Sequence, residues 1–366
     1  MKKTIGTFYN KIKPAKGYYY WYFYHKKRIG LLLRARLENK VFTCQALQGN
    51  SNYNICINCD LTVSCNCQDF DGSGRIGTLR KQSLKQIFDG SIAKSFRKAL
   101  SQRDFPVHLC PICPELSLTS QIDASSILSG YKVPSRGIMV ENTVLCNMRC
   151  ELCRTHRENL VKIRKNIMLS IDDVEILAEI IKEHKIERVY FFNLGEPFLP
   201  SNIYQQIKII RDANPGIQII TSTNGVLLDS DEKIEAALLM DYIYFSIDGV
   251  DQEMINKYQD GGNFSKSYKN MARLVQLRNQ RGLDCPIVEW KYVLFRGNDA
   301  PAHAEKAQEL ARAADIDLLG FYPGAAPLHK RSLRYTRHPY FKRLGEKIGA
   351  GIILNYKGIP QQKLAP

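Results

Sequence analysis

No stretch of the 366-residue chain approaches the roughly 18 to 20 consecutive apolar residues that a membrane span needs. The N-terminus lacks the apolar core of a secretory signal, since Met1-Lys2-Lys3 runs on into Tyr, Lys and Pro. These absences argue against a membrane protein and a secreted one, and a cytoplasmic location is expected. Acids are scarce at the start: residues 1–43 hold eleven Lys and Arg against one acid, Glu38, in a chain of net charge +16. Such a field attracts acidic partners, whether phosphorylated or carboxylated substrates, acidic peptides or nucleic acid, and charge alone does not choose among them. Histidines are few and scattered, and none is assigned a role. The apolar fraction of 44% is ordinary. The length suits one α/β barrel with an appended module, or two domains.

Cysteine is plentiful by contrast. A reducing compartment keeps thiols apart, so clustered cysteines there read as metal ligands rather than disulfides. Ten of the eleven cluster: Cys44, Cys56, Cys59, Cys65, Cys67, Cys110, Cys113, Cys146, Cys150 and Cys153. Cys285 stands alone before Pro286 and reads as a small buried hydrophobe.

Along the chain, Tyr18–Tyr24 and Leu31–Leu37 flank Lys26-Lys27-Arg28 and are expected to form a basic β-hairpin within residues 1–43. Interleaved aromatics and bases can serve nucleic acid. No RNA-binding motif accompanies them, so a solvated edge hairpin is the preferred reading. Residues 44–120 are cysteine-rich, with a helical stretch from Ser83 to about Leu100. Residues 114–136, with Ser, Gly and two prolines, read as connecting chain, the linker proper at 121–135. From Arg136 the pattern alternates. Strands are expected at Gly137–Leu145, Arg188–Asn193, Gln218–Thr223, Tyr242–Ile247, Ile287–Phe295 and Asp317–Tyr322, with amphipathic helices between them such as Asp172–His184, Asn202–Ala213 and Ala302–Ala314. Six βα units predict an α/β fold, a partial (β/α)6 TIM-like barrel of parallel strands over residues 136–324. Residues 325–366 are basic and aperiodic, and are expected to wrap the barrel or form a tail.

Cys146, Cys150 and Cys153 have the spacing C-x3-C-x2-C directly after the first expected barrel strand. Active sites of βα barrels lie on the loops at the strands' C-terminal ends. Three thiolates can hold three irons of a cubane, and the missing fourth leaves one iron open to a small molecule. Zinc, the competing occupant, usually takes four protein ligands. This motif, followed by a half-length barrel, resembles the radical S-adenosylmethionine (SAM) superfamily over roughly residues 136–323. The resemblance implies that Cys146, Cys150 and Cys153 are catalytic ligands of a [4Fe-4S] cluster. SAM would chelate the open iron and, on receiving one electron, yield a 5′-deoxyadenosyl radical that abstracts hydrogen from substrate.

Later strand ends extend the resemblance. Asn193-Leu194-Gly195-Glu196-Pro197 is similar to the family's Gly-Gly-Glu segment, with Leu194 in place of the first glycine. It implies that Gly195 and Glu196 receive the SAM amino group, for which a hydrogen-bond acceptor is suitable. Ser222-Thr223-Asn224-Gly225 resembles the family's Thr-Asn-Gly turn and adds Asn224. Ser246 and Asp248 alternate along one strand and so share a face, where the family binds ribose. Leu152 stands where an aromatic residue often precedes the third cysteine. Bland readings exist too: a helix-entry acid for Glu196, an Asx turn for Asp248, and a solvated helix start for Arg154, His156 and Arg157.

Residues 44–113 resemble a SPASM or twitch module, which carries auxiliary [4Fe-4S] clusters in many such enzymes. The family usually places it after the barrel. The resemblance implies ligands among Cys44, Cys65 or Cys67, Cys110 and Cys113, a complete shell for one cluster. Cys56-Ile57-Asn58-Cys59 supplies a second C-x2-C, so a structural zinc site is the alternative. The expected function is radical SAM chemistry on a small polar or acidic, sugar-like substrate, with an electron donor such as flavodoxin or ferredoxin. A maturase acting on a peptide is the alternative. A zinc-stabilised nucleic-acid-binding protein is the competitor from another class.

Overall fold

The computed structural model describes residues 14–121, 131–324 and 329–364. The chain divides into two units, residues 1–55 with 63–134, and residues 56–62 with 135–366.

The first unit opens with α1 (Pro14–Leu37), where a hairpin was expected. The polar break Lys26-Lys27-Arg28 contains no Gly, Asn or Pro to turn the chain. Lys, Arg, Leu and Ala are strong helix formers, and they prevail over the aromatic alternation. An Arg34–Glu38 ion pair at 2.6 Å, four residues apart, suits the helix. Then come β1 (Val41–Cys44), β2 (Cys56–Ile57, which belongs to the second unit), β3 (Thr62–Ser64) and β4 (Arg75–Thr78). Helices α2 (Leu84–Asp89) and α3 (Ser91–Ser101) and strand β5 (Leu116–Thr119) follow. A Ser83/Gln86 capping box starts α2. Strand β5 pairs antiparallel with β1, Val41 opposite Thr119, so part of the expected connecting chain is sheet. Residues 122–130 of the expected linker lie outside the described residues. Phe42, Leu84, Ile87, Phe88 and Leu100 form the apolar core. Buried Arg97 crosses it, donating to the Phe88 carbonyl at 2.6 Å with its guanidinium over the Tyr131 ring.

The second unit is a mixed α/β fold on a parallel sheet. In chain order it has β6 (Ile138–Val140), α4 (Glu151–Ile163), α5 (Ile171–Glu183), β7 (Arg188–Tyr190), α6 (Ile203–Ala213), β8 (Gln218–Thr223), α7 (Asp231–Leu238) and β9 (Tyr242–Ser246). It continues with α8 (Gln252–Tyr258), α9 (Phe264–Gln280), β10 (Ile287–Leu294), α10 (Pro301–Ala313), β11 (Leu318–Pro323), α11 (Arg334–Arg337), α12 (Pro339–Arg343), β12 (Glu346–Ile348) and β13 (Gly351–Asn355). Strands β6 to β11 lie side by side in sequence order, all parallel. Helices return the chain between strands, as parallel pairing requires. Strand β2 joins β6 in parallel, Cys56 opposite Met139, and this pairing draws residues 56–62 out of the cysteine-rich stretch. The basic C-terminal segment is no loose tail: β13 pairs antiparallel with β11, and β12 with β13. One face of the sheet packs on helices, Trp290 against Tyr268 of α9 and Phe321 against Phe341 of α12. Alternation puts Tyr242, Tyr244, Glu289, Lys291 and Tyr322 on the other face, where they meet one another. No helix among the described residues is long and apolar enough to cross a membrane.

Candidate active site

Strand β6 ends at Val140, and the chain then loops through Cys146 to Cys150, where α4 begins. The loop is held from below. Arg149 N–H donates to the Asp260 carbonyl at 2.7 Å, and Gly261, at φ +83°, brings its backbone against Asn147. The Cys146 Sγ accepts the Met148 N–H at 3.3 Å, and Cys153 Sγ lies 3.6 Å from the Leu194 carbonyl. All three thiols are free and half-buried. Burial pushes Cys146 up to about 11 and Cys150 up to about 12, and the neighbouring thiols add to the rise at Cys150. Cys153 is also raised by burial, opposed by the adjacent Arg157 guanidinium. Such thiols stay protonated until a metal displaces the proton.

Among the described residues, no three His, Cys, Asp or Glu side chains stand close enough to hold a single metal ion. A cubane asks for something else. Each thiolate takes its own iron, so the sulfurs must stand apart around a shared volume, with N–H donors toward them. Three half-buried thiols that feel one another's charge, with Met148 N–H and Arg157 beside them, fit that demand.

The ends of β7 and β8 close on this loop. Gly195 is required by close approach, because a Cβ there would run into the Thr143 carbonyl. Glu196 N–H donates to the Leu145 carbonyl at 2.8 Å. The Glu196 carboxylate is 2% exposed and accepts the Thr223 hydroxyl at 2.6 Å, the Asn224 N–H at 2.9 Å and the Phe198 N–H at 3.2 Å. Burial raises its carboxyl and these donors oppose the shift. Glu196 thus pins one strand end to the next, a structural duty beyond the one expected from sequence. The Asn224 side chain donates to Asn147 Oδ1 at 2.9 Å and reaches Cys146 Sγ at 3.9 Å.

Ser246 and Ser222 hydroxyls meet at 3.1 Å on neighbouring strands. Asp248 is 4% exposed; its Oδ1 accepts the Val293 N–H at 2.9 Å, and Oδ2 takes no hydrogen bond from the described residues. Burial pushes its carboxyl up to about 7, opposed by the Val293 N–H and by Lys291. Its charge reaches Cys150. The residues expected at the site lie near one another: Asn224 reaches Cys146 and is held by Glu196, Cys153 approaches the Leu194 carbonyl next to Gly195, the charges of Cys146, Cys153 and Asp248 are felt at Cys150, and Ser246 is on the adjoining strand end.

Residues 140–288 match the radical SAM superfamily. The match takes in the cysteine triad and the ends of β7, β8 and β9. Members of the superfamily are enzymes, and their cofactors are a [4Fe-4S] cluster and S-adenosylmethionine. A tungsten-containing aldehyde ferredoxin oxidoreductase cofactor-modifying protein of Pyrococcus furiosus is 25% identical over 247 residues, covering 58% of this chain and 64% of that one. A GTP 3′,8-cyclase of Alkaliphilus metalliredigens is 28% identical over 136 residues, covering 37% of this chain and 42% of that one. The chain thus spans less than two thirds of these curated relatives. Among solved structures, native anSMEcpe with bound AdoMet is 18% identical over 50% of each chain, at a TM-score of 0.38.

In the first unit, Cys44, Cys65, Cys110 and Cys113 are coupled electrostatically: the charge of Cys44 is felt at Cys65, and those of Cys110 and Cys113 at both. Burial pushes Cys44 up to about 12 and Cys110 up to about 11. Cys113 Sγ accepts from Asn66 at 2.9 Å. Cys67 is diverted, its thiol donating to Asn54 Oδ1 at 3.1 Å. Cys56 and Cys59 belong to the second unit, fully buried, with the Cys59 thiol donating to the Asn166 carbonyl at 3.0 Å.

Sequence reasoning passed over Asn147, Gln259 and the Asp260-Gly261-Gly262 turn, which shape the site from below. Gln259 donates to the Ser246 carbonyl at 2.9 Å and accepts the Asp248 N–H at 2.9 Å. The paired glycines after a helix were the available signal.

Proposed function

We propose that this protein is a radical SAM enzyme acting on a small, polar, acidic substrate. Cys146, Cys150 and Cys153 ligate its [4Fe-4S] cluster, and Gly195, Glu196, Asn224, Ser246 and Asp248 receive SAM. When bound, the cluster and SAM supply a radical able to abstract hydrogen. The chain's own part is positioning. The Glu196 pin holds two strand ends against the cysteine loop, and Asp248 offers its free oxygen to a hydroxyl. The six parallel strands are read as a partial (β/α)6 TIM-like barrel, with the Tyr244–Lys291 face turned inward. The observation that carries this reading is the convergence of three free thiols with the ends of β7 and β8.

We also read the first unit as a SPASM/twitch-like module with an auxiliary [4Fe-4S] cluster on Cys44, Cys65, Cys110 and Cys113. The mutual approach of these four thiols supports it. Flavodoxin or ferredoxin would serve as electron donor. The relatives' names speak of GTP and of an enzyme cofactor, and these favour an acidic small molecule over the sugar-like substrate expected from sequence.

Anaerobic reconstitution followed by incubation with dithionite and SAM tests the reading. A brown protein that forms 5′-deoxyadenosine is expected. Product formation that survives Cys146, Cys150 and Cys153 all changed to Ala would sink it. A zinc protein would be colourless and leave SAM intact.

A further inference from the structure

Strand β10 runs Ile287-Val288-Glu289-Trp290-Lys291-Tyr292-Val293-Leu294, with two charged residues at alternate positions of an interior strand. Central parallel strands are ordinarily apolar on both faces, so charges there ask for a reason. Glu289 has one: it accepts the hydroxyls of Tyr242 and Tyr322, the latter at 2.7 Å. Lys291 has none. Its ammonium lies over the Tyr244 ring at 4.9 Å and the Tyr322 ring at 5.2 Å, and no acceptor among the described residues is within hydrogen-bond reach. The residue is half-buried, so its three N–H donors are neither paired nor spread into bulk water.

The cradle around it is closely packed. Gly320 and Gly351 both stand against the Tyr322 ring, where a methyl on either would press into it. The Tyr242 and Tyr244 rings meet at 4.9 Å between centroids, tilted by 52°. In register, Lys291 lies opposite Ser246 at the C-terminal end of β9, and Val293, two residues on, donates to Asp248. Lys291 therefore sits at the edge of the group of residues assigned to SAM, on the sheet face opposite the helices. Burial lowers the Lys291 amine and the charges of Glu289 and Asp248 oppose that shift through space, but neither carboxylate touches it, and tyrosine hydroxyls bind both Glu289 oxygens.

We propose that Lys291 is the substrate-binding cation of this enzyme, receiving a carboxylate or phosphate of the substrate between the faces of Tyr244 and Tyr322. This deepens the radical SAM reading and rests on it for which sheet face meets the substrate. An ammonium held by aromatic faces and lacking an acceptor is a point charge waiting for an anion. The flanking rings would pack the apolar carbon next to that anion.

The test uses the reconstituted full-length protein, inorganic phosphate as probe and an amine-acylating ester read by peptide mass spectrometry. Saturating phosphate should slow acylation of Lys291 roughly tenfold, the scale of one charge-assisted contact, while exposed Lys208 on α6 is unaffected. In Lys291→Met, phosphate binding should be lost while SAM affinity changes by less than roughly tenfold, and Lys291→Arg should keep phosphate binding. No phosphate protection of Lys291 overturns the proposal. So does a loss of SAM affinity of roughly tenfold or more in Lys291→Met, because the anion would then be the SAM carboxylate. A wild-type protein that forms no 5′-deoxyadenosine brings down the parent reading instead, and that result is separate from phosphate protection.

Discussion

The Glu196 carboxylate accepts the Thr223 hydroxyl at 2.6 Å and the Asn224 N–H at 2.9 Å, so one buried acid fastens two strand ends together. Glu196→Gln keeps the shape but replaces one acceptor oxygen with an amide donor. One of the N–H or O–H groups now pointing at Glu196 would then face another donor. A buried group left unsatisfied costs about 1–3 kcal/mol. Urea unfolding should register that loss, and equilibrium SAM binding should weaken with it, since Asn224 also reaches Cys146. Unchanged stability together with unchanged SAM affinity would remove Glu196 from the site.

We propose different roles for the two cysteines of Cys65-Asn66-Cys67. Cys65 feels the charges of Cys44, Cys110 and Cys113, whereas Cys67 feels that of Cys113 and its thiol donates to Asn54. With both clusters loaded, the wild type should hold about eight irons per chain. Cys65→Ala should fall to about four irons and keep 5′-deoxyadenosine formation, while Cys67→Ala should keep the full count. Equal losses from the two variants would contradict the assignment, and a wild-type count of about four would dispense with the auxiliary cluster.

The βα alternation was legible because covered parallel strands read as apolar runs between amphipathic helices, and the cysteine triad because its spacing survives without tertiary knowledge. The N-terminal helix was not legible. Its aromatic run imitates strand alternation, and only the missing turn residues at Lys26-Lys27-Arg28 argue otherwise. Nor does sequence separate Cys65 from Cys67, two positions apart, because the Asn54 contact that holds the Cys67 thiol appears only in the folded chain. Glu289 and Lys291 did leave a trace, as charges at alternate positions of an otherwise apolar strand. The pinning role of Glu196 left none, because Thr223 and Asn224 are distant in sequence and meet it only once the sheet is formed.

Asp248 gives the apo-protein a pH signature. Its folded carboxyl is pushed up to about 7 by burial, while an unfolded aspartate titrates near 3.9. The native state therefore holds this proton more tightly than the unfolded chain. The resulting stability is fully present below about pH 4 and is lost as pH rises through about 7. The shift corresponds to a loss on the order of 4 kcal/mol. Asp248→Asn cannot ionise, so its urea midpoint should fall less than that of wild type between about pH 4 and about pH 8. Parallel curves for the two proteins would show that Asp248 is ionised in the native state throughout.

Arg164 and Glu141 form a buried ion pair in the second unit, Nε to Oε1 at 2.9 Å, both side chains shielded from solvent. Arg164 also donates to Asn58 Oδ1 at 2.8 Å, and Glu141 accepts from Asn193 at 3.2 Å and from the Cys59 N–H at 3.4 Å. The pair thus anchors residues 56–62 to the end of β6. One guanidinium nitrogen, Nη1, is buried without a partner, so the desolvation of the arginine is incompletely repaid. Arg164→Met would leave the Glu141 carboxylate buried and uncompensated, at a cost of about 3–5 kcal/mol. Replacing both, as Glu141→Leu with Arg164→Met, should recover most of the loss, because two apolar side chains need no partner. Urea unfolding of the three variants measures the coupling. Alkylation of Cys59 reports where the damage falls: it should be faster in Arg164→Met than in wild type and slow again in the double variant. Equal stability of the single and double variants would mean that the ion pair does not hold this segment.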